Sequence, residues 1–231
     1  MIGIIGAMQL EVETLIAKME DDAVRTVSGR AFHVGKLCGQ DVVAVQCGIG
    51  KVNAAMCAEA MILEFTPSLI VNVGVAGSLS GELSIGDIAV ARDLIQYDVD
   101  TSAIGDPIGL VSTVNRIDFP CADWAAEAIL DAAAQCGGIR ARLARIATGD
   151  KFVADTQTKR WIHETFDADA CEMEGCPIAQ VCYINGVDCA VIRAISDSSD
   201  GDHAMEYDQF CRMAAENSAK VVEGFLRGLN T

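Results

Sequence analysis

Apolar residues arrive in short bursts cut by glycine or polar turns, and the bursts alternate with longer segments whose apolar positions recur at helical spacing. The first burst, Met1-Ile2-Gly3-Ile4-Ile5-Gly6-Ala7-Met8, reads as a strand that turns at Gly6-Ala7-Met8 into a helix beginning Gln9-Leu10-Glu11-Val12-Glu13. Residues 31–37 and 41–47 form two strands around a Gly39 turn, a hairpin pattern. Residues 51–65, rich in alanine, methionine and leucine, predict a helix whose Met and Cys positions are core packing. Residues 68–73 predict a central strand with a tight Gly74-Val75-Ala76-Gly77-Ser78 loop at its end, and residues 87–91 another strand. The stretch from Tyr97 to Phe119 is loop-rich.

Residues 124–136 form an amphipathic helix ended by Gly137-Gly138, followed by a strand at 141–147 and a helix at 156–166. A short strand then delivers Glu172 and Glu174, and a helix over 176–183 carries Pro177 in its first turn, where a missing N–H costs nothing. Residues 189–195 read as a buried parallel strand interrupted by Arg193 and ending in Ser196-Asp197. A last helix, from about Ala204 to Leu229, places Tyr207, Phe210, Met213 and Val221 at helix-like intervals.

Strands alternating with helices, with half the residues hydrophobic and few aromatics, predict an α/β protein. With no Pro/Ser-rich or charge-run linker, residues 1–231 are expected to form a single domain. A net charge of −16 argues against nucleic acid and against an anionic membrane surface as partners. No apolar run reaches the roughly 20 residues that a membrane span needs, and the N-terminus lacks the basic region of a signal peptide. The ten cysteines include no C-x-x-C pair and read as buried reduced thiols of a cytoplasmic protein, with no metal set.

Several glycine and acidic motifs fail their tests. Gly3-Ile4-Ile5-Gly6 lacks the dinucleotide spacing, and Gly48-Ile49-Gly50-Lys51 lacks the remainder of a phosphate loop. The Ser198–His203 stretch breaks the calcium-loop alternation and reads as a solvated turn. The segment from Cys171 to Asp197 stands apart, because it places Glu174 and Asp197 at strand ends, where ligands bind in open α/β sheets. On spacing alone a plainer account is also open: Glu11 and Glu174 as charges at helix N-termini, Asp197 as a turn residue, Phe152 as a core plug.

Glu172-Met173-Glu174 followed by Arg193-x-x-Ser196-Asp197 resembles the purine nucleoside phosphorylase and nucleosidase superfamily, and within it the 5'-methylthioadenosine/S-adenosylhomocysteine nucleosidases. The resemblance covers nearly the whole chain. It implies a three-layer fold with a central mixed β-sheet flanked by helices, and hydrolysis of the N-glycosidic bond of a 5'-substituted purine nucleoside without a cofactor or metal. Asp197 matches the general acid to N7, Glu11 the residue that orients water, and Glu174 the carboxylate on the ribose hydroxyls. Arg193 would fix Glu174 and help place the water; Met173 would pack on the sugar, Phe152 would stack on the purine, and the Val153 backbone would hydrogen-bond the base. Ala76 and Gly77 supply ligand-facing backbone and Tyr207 an aromatic closing over substrate, with Met8, Ile49, Glu172 and Ser196 completing the substrate-binding set. The resemblance also implies a homodimer, with the 97–119 loop helping to form the interface and the pocket for the 5' substituent.

Val75 departs from the serine that many family members carry, which leaves room for another substrate such as aminodeoxyfutalosine. Phosphorolysis is the rival reaction. A phosphate nucleophile needs cationic or backbone donors, yet residues 6–11 and 72–77 contain no arginine and include Glu11, so hydrolysis is expected. A silent nucleoside-binding protein is a third possibility, weakened by retention of all three acids, Glu11, Glu174 and Asp197.

Overall fold

The structure, a computed structural model, describes residues 1–197 and 207–230, with the backbone alone for 207–209. The turn expected at 198–203 lies outside the described residues. Ten strands build one mixed sheet. β1 (Ile2–Gly6) lies between β4 (Gln40–Gln46) and β5 (Leu69–Ser78), parallel to both. Outward from β4, the expected hairpin partner β3 (Arg30–Leu37) is antiparallel and is followed by β2 (Glu20–Val27). The β2 sequence, Glu-Asp-Asp-Ala-Val-Arg-Thr-Val, carries no apolar alternation that would announce a strand. It is an exposed edge, and charges on an edge strand discourage pairing with other chains.

On the other side of β5, the sheet closes on itself. β10 (Asp188–Asp197) runs parallel to β5 and antiparallel to β6 (Ile88–Gln96). β6 is parallel to β8 (Ala141–Thr148), β8 is parallel to β9 (Ala170–Glu172), and β9 returns antiparallel to the end of β5. β7 (Asp118–Pro120) pairs with β6 outside this ring. Closure brings the ends of β5, β8, β9 and β10 around one space, a relationship between distant strands that periodicity does not encode.

The segment expected as a loop after residue 73 is strand instead. β5 continues to Ser78 because Gly74, Val75, Ala76 and Gly77 pair in register with Arg193, Ala194, Ile195 and Asp197 of β10. Its glycines serve close approach between side chains and backbone rather than a turn.

Both faces of the sheet are covered, which is why β10 reads as a nearly continuous apolar run. Val191 and Ile195 join the cluster with α2 (Lys51–Phe65) and α5 (Gly175–Asn185). Ala190, Ile192 and Ala194 join the cluster with α1 (Gln9–Ile16), α3 (Asp123–Gln135) and α6 (Tyr207–Gly228). α4 (Thr156–Phe166) starts at Asp155, whose side chain accepts from the Thr158 N–H at 2.7 Å, and packs Ile162 and Phe166 into a third cluster. Each of the ten cysteines is a thiol and eight are buried. Burial pushes the Cys57 and Cys171 thiols up to about 12, so they stay protonated at neutral pH. Among the described residues, no helix is long and apolar enough to cross a membrane.

Candidate active site

A cleft opens at the carboxyl ends of the parallel strands. Its walls come from the turn after β1, the end of β5, the β9–α5 junction and the last residues of β10. Glu11, Glu172, Glu174 and Asp197 all reach it, as do Met8, Ile49, Ala76, Gly77, Phe152, Met173 and Ser196. Val153 is buried and lines a small side pocket beside Asp197 and Phe152. Tyr207 begins α6, and its side chain lies outside the described residues.

Glu11 occupies the third position of α1 and folds back over the turn that precedes the helix. Its Oε2 accepts from the Ala7 and Met8 N–H groups at 2.7 and 2.8 Å, and its Oε1 accepts from the Val75 N–H at 3.2 Å. The helix-capping account is therefore true of one oxygen, while the other ties α1 to β5. Burial raises the proton affinity of Glu11, against the opposing pull of those amides and of Arg193. Gly74 makes the approach possible: a Cβ there would lie 2.8 Å from Glu11 Oε1.

Glu174 sits at the N-cap of α5, yet its side chain caps nothing on that helix. Its Oε1 instead accepts from the Gly50 N–H at 2.8 Å, at the start of α2, where Gly50 holds a φ of 98° that disfavours other residues. Burial, and then repulsion from Glu172, push its carboxyl up to about 7, with Arg193 and the Gly50 amide pulling the other way.

Arg193 does not fix Glu174 by direct contact, as the sequence predicted. Its Nη2 donates to Glu172 Oε2 and to Asn72 Oδ1, each at 2.5 Å, and its Nη1 reaches main-chain carbonyls of Asn72 and Ile192. The cause is position: Glu172 ends β9 inside the ring, whereas Glu174 has passed the turn toward α2. Glu172 also accepts from the Thr148 hydroxyl and from the Glu174 and Gly175 N–H groups at 2.9 and 2.7 Å. Its oxygens are thus committed to protein donors. Arg193 still acts on the cleft through charge. Burial opposes its ionisation, but Glu172, Glu174 and Glu11 together outweigh burial and hold it protonated.

Asp197 closes β10 at a register shift between Ile195 and Asp197, a bulge of the kind that re-aims a side chain. Its Oδ1 lies 3.2 Å from Ser196 Oγ, and its Oδ2 lies 2.8 Å from Lys159 Nζ. The sequence reading missed Lys159. The signal was present, because Lys159 falls on the α4 face that buries Ile162 and Phe166, where a lysine is out of place. Phe152 is 57 % exposed at the cleft mouth, so it is no core plug.

Residues 1–227 match the family model of the Phosphorylase superfamily. The 5'-methylthioadenosine/S-adenosylhomocysteine nucleosidase of Shewanella halifaxensis is 38% identical over 229 residues, covering 99% of both chains. The chain belongs to this nucleosidase family. The crystal structure of the Neisseria meningitidis 5'-methylthioadenosine/S-adenosylhomocysteine nucleosidase in complex with methylthio-immucillin-A superposes with a TM-score of 0.93 at 33% identity, covering 98% of each chain. The native structure of Helicobacter pylori futalosine hydrolase gives 0.92 at 33% identity, covering 98% of this chain and 97% of that one. In this nucleosidase-family chain, the described residues that line the cleft include no arginine or lysine, while four carboxylates reach it. Among the described residues no group of three or more His, Cys, Asp or Glu could hold a metal ion.

Proposed function

We propose that the protein hydrolyses the N-glycosidic bond of 5'-methylthioadenosine and S-adenosylhomocysteine, and of 5'-deoxyadenosine, releasing adenine and the 5-substituted ribose. It is an N-glycosyl hydrolase acting on purine nucleosides. The carrying observation is a cleft rich in carboxylates with no cationic side chain on its described walls. A phosphate nucleophile would meet repulsion there, whereas a ribosyl cation and a water molecule would be stabilised.

The chemistry divides among the cleft residues. As the C1'–N9 bond breaks, its electron pair passes to the purine, and Asp197 gives a proton to N7. Glu174 holds the ribose hydroxyls and faces the developing positive charge, with Met173 against the sugar. Glu11, anchored by three main-chain N–H groups, orients the water that adds at C1'. Phe152 stacks on the base, and Ala76, Gly77 and Ser196 form the wall behind it. Arg193 balances the carboxylate charges from behind the cleft. Positioning and preorganised charge supply most of the acceleration in such a scheme.

A second reading, cleavage of a futalosine-type nucleoside such as aminodeoxyfutalosine, has one specific support in the likeness to the H. pylori hydrolase. The homodimer belongs to the same proposal, supported by exposed Val52 and Met56 on α2 near Ile49, and ten thiols suit the reducing cytoplasm. Adenine release is the test: the purified protein is offered 5'-methylthioadenosine, S-adenosylhomocysteine, 5'-deoxyadenosine and aminodeoxyfutalosine in parallel. Highest kcat/KM on the first two supports the proposal, and cleavage confined to the last replaces it with the second reading.

A further inference from the structure

Lys159 reaches Asp197 from behind the cleft lining, on α4, an element that supplies no residue to that lining. Its side chain is 3% exposed, and its ammonium stands 2.8 Å from Asp197 Oδ2, whose own side chain is 22% exposed. The stem lies on the α4 face shared with Ile162 and Phe166, so packing aims the charge. Gly77 also presses in: a Cβ there would come within 2.9 and 3.0 Å of the two Asp197 oxygens. With Ser196 Oγ at Oδ1, the carboxyl group is boxed between backbone, hydroxyl and ammonium. Desolvating a lysine at a site otherwise suited to an aliphatic side chain is costly and needs a compensating role.

Resting on the hydrolase reading above, we infer that Lys159 is the positioning residue of the general acid. It holds Asp197 in line with the leaving purine, and its charge stabilises the carboxylate that remains once the proton has moved to N7. Among the described residues around Asp197, Lys151 lines the side pocket but is exposed and pairs with Asp155 at 3.5 Å, whereas Cys171 and Glu172 from β9 and Glu11 and Glu174 on the cleft wall are acidic. Lys159 therefore supplies the countercharge they cannot. The only proton delivered to the base is that of Asp197. A fixed cation beside the acid favours the transition state, in which negative charge is appearing on Asp197, over the ground state, in which Asp197 is still protonated.

The test compares two leaving groups. 5'-Methylthioadenosine needs a proton at its base, whereas a 4-nitrophenyl 5-methylthioriboside has a leaving group that departs without one. In Lys159→Met, kcat on the nucleoside should fall about 100-fold with KM changed only a few-fold, and the nitrophenyl riboside should lose less than about tenfold. Lys159→Arg should recover most of the lost kcat, and Lys159→Met in an Asp197→Asn background should cost nothing further. Equal losses on both substrates would assign Lys159 a purely structural role and overturn the inference, as would an undiminished nucleoside rate in Lys159→Met. A wild-type protein that cleaves the nitrophenyl riboside but no purine nucleoside would overturn the hydrolase reading and the inference with it.

Discussion

Arg193 and Glu172 form an ion pair at 2.5 Å, with side chains only 1% and 2% exposed, directly behind the cleft. Asn72 completes the cluster from β5, donating through Nδ2 to the Ile5 carbonyl while accepting from Arg193. The pair therefore locks β5, β9 and β10 together at the ends that carry the candidate catalytic groups. Truncating one partner would leave the other charge buried and uncompensated. Arg193→Met should lower unfolding free energy by roughly 3–5 kcal/mol in a urea titration. A loss below about 1 kcal/mol would mean that the cluster is not under this electrostatic load.

Glu174 gives the pH dependence. Its carboxyl is pushed up to about 7 by burial and by Glu172, and the proposed role requires the ionised form. The kcat/KM profile should fall as pH drops below about 7, with the raised Glu11 steepening the loss. Removing the Glu172 charge in Glu172→Gln should move that limb to lower pH. An acid limb that stays in place would assign it to another group.

The same shift has a stability consequence. The folded Glu174 holds its proton more tightly than the unfolded one, so its contribution is fully present below pH about 4.5 and is lost as pH rises through about 7. Glu174→Gln escapes that loss. Its stability relative to wild type should rise by roughly 2–3 kcal/mol between pH 4 and pH 8 in denaturant unfolding. A difference that stays flat with pH would contradict the raised affinity.

Gly77 is a steric test of how closely Asp197 must be held. Gly77→Ala places a methyl group against both carboxylate oxygens on a backbone that any residue can adopt. Turnover should drop about 100-fold, with a stability loss of only about 1–2 kcal/mol. Unaltered turnover would show that Asp197 works from a different position.

Asp197→Asn separates binding from chemistry. It removes the transferable proton and keeps the shape, so kcat should fall by about 100-fold or more while the nucleoside still binds in calorimetry. A wild-type rate would remove Asp197 from the mechanism.

Much of this arrangement was legible in the chain. The apolar bursts marked eight of the ten strands in outline, all but β2 and the three-residue β7, and Glu11, Glu174 and Asp197 fall at the ends of elements that converge. What the sequence concealed was long-range. The extension of β5 through Gly74 and Gly77 depends on register with β10, 119 to 120 residues away (193 − 74 and 197 − 77), and glycine reads locally as a turn. Arg193 was assigned to Glu174 rather than Glu172 because strand alternation puts both glutamates on one side, and only the turn after Glu172 sends Glu174 away toward α2. Lys159 was passed over because a charge on a helix ordinarily means solvent, although its spacing from Ile162 and Phe166 puts it on the buried face of α4. β2 was missed because an edge strand covered in charge carries no hydrophobic period.

The most direct measurement is product analysis by chromatography after incubation with 5'-methylthioadenosine, with and without inorganic phosphate. The carboxylate-lined cleft predicts free adenine and methylthioribose at the same rate in both conditions. Methylthioribose 1-phosphate, formed only when phosphate is present, would contradict it.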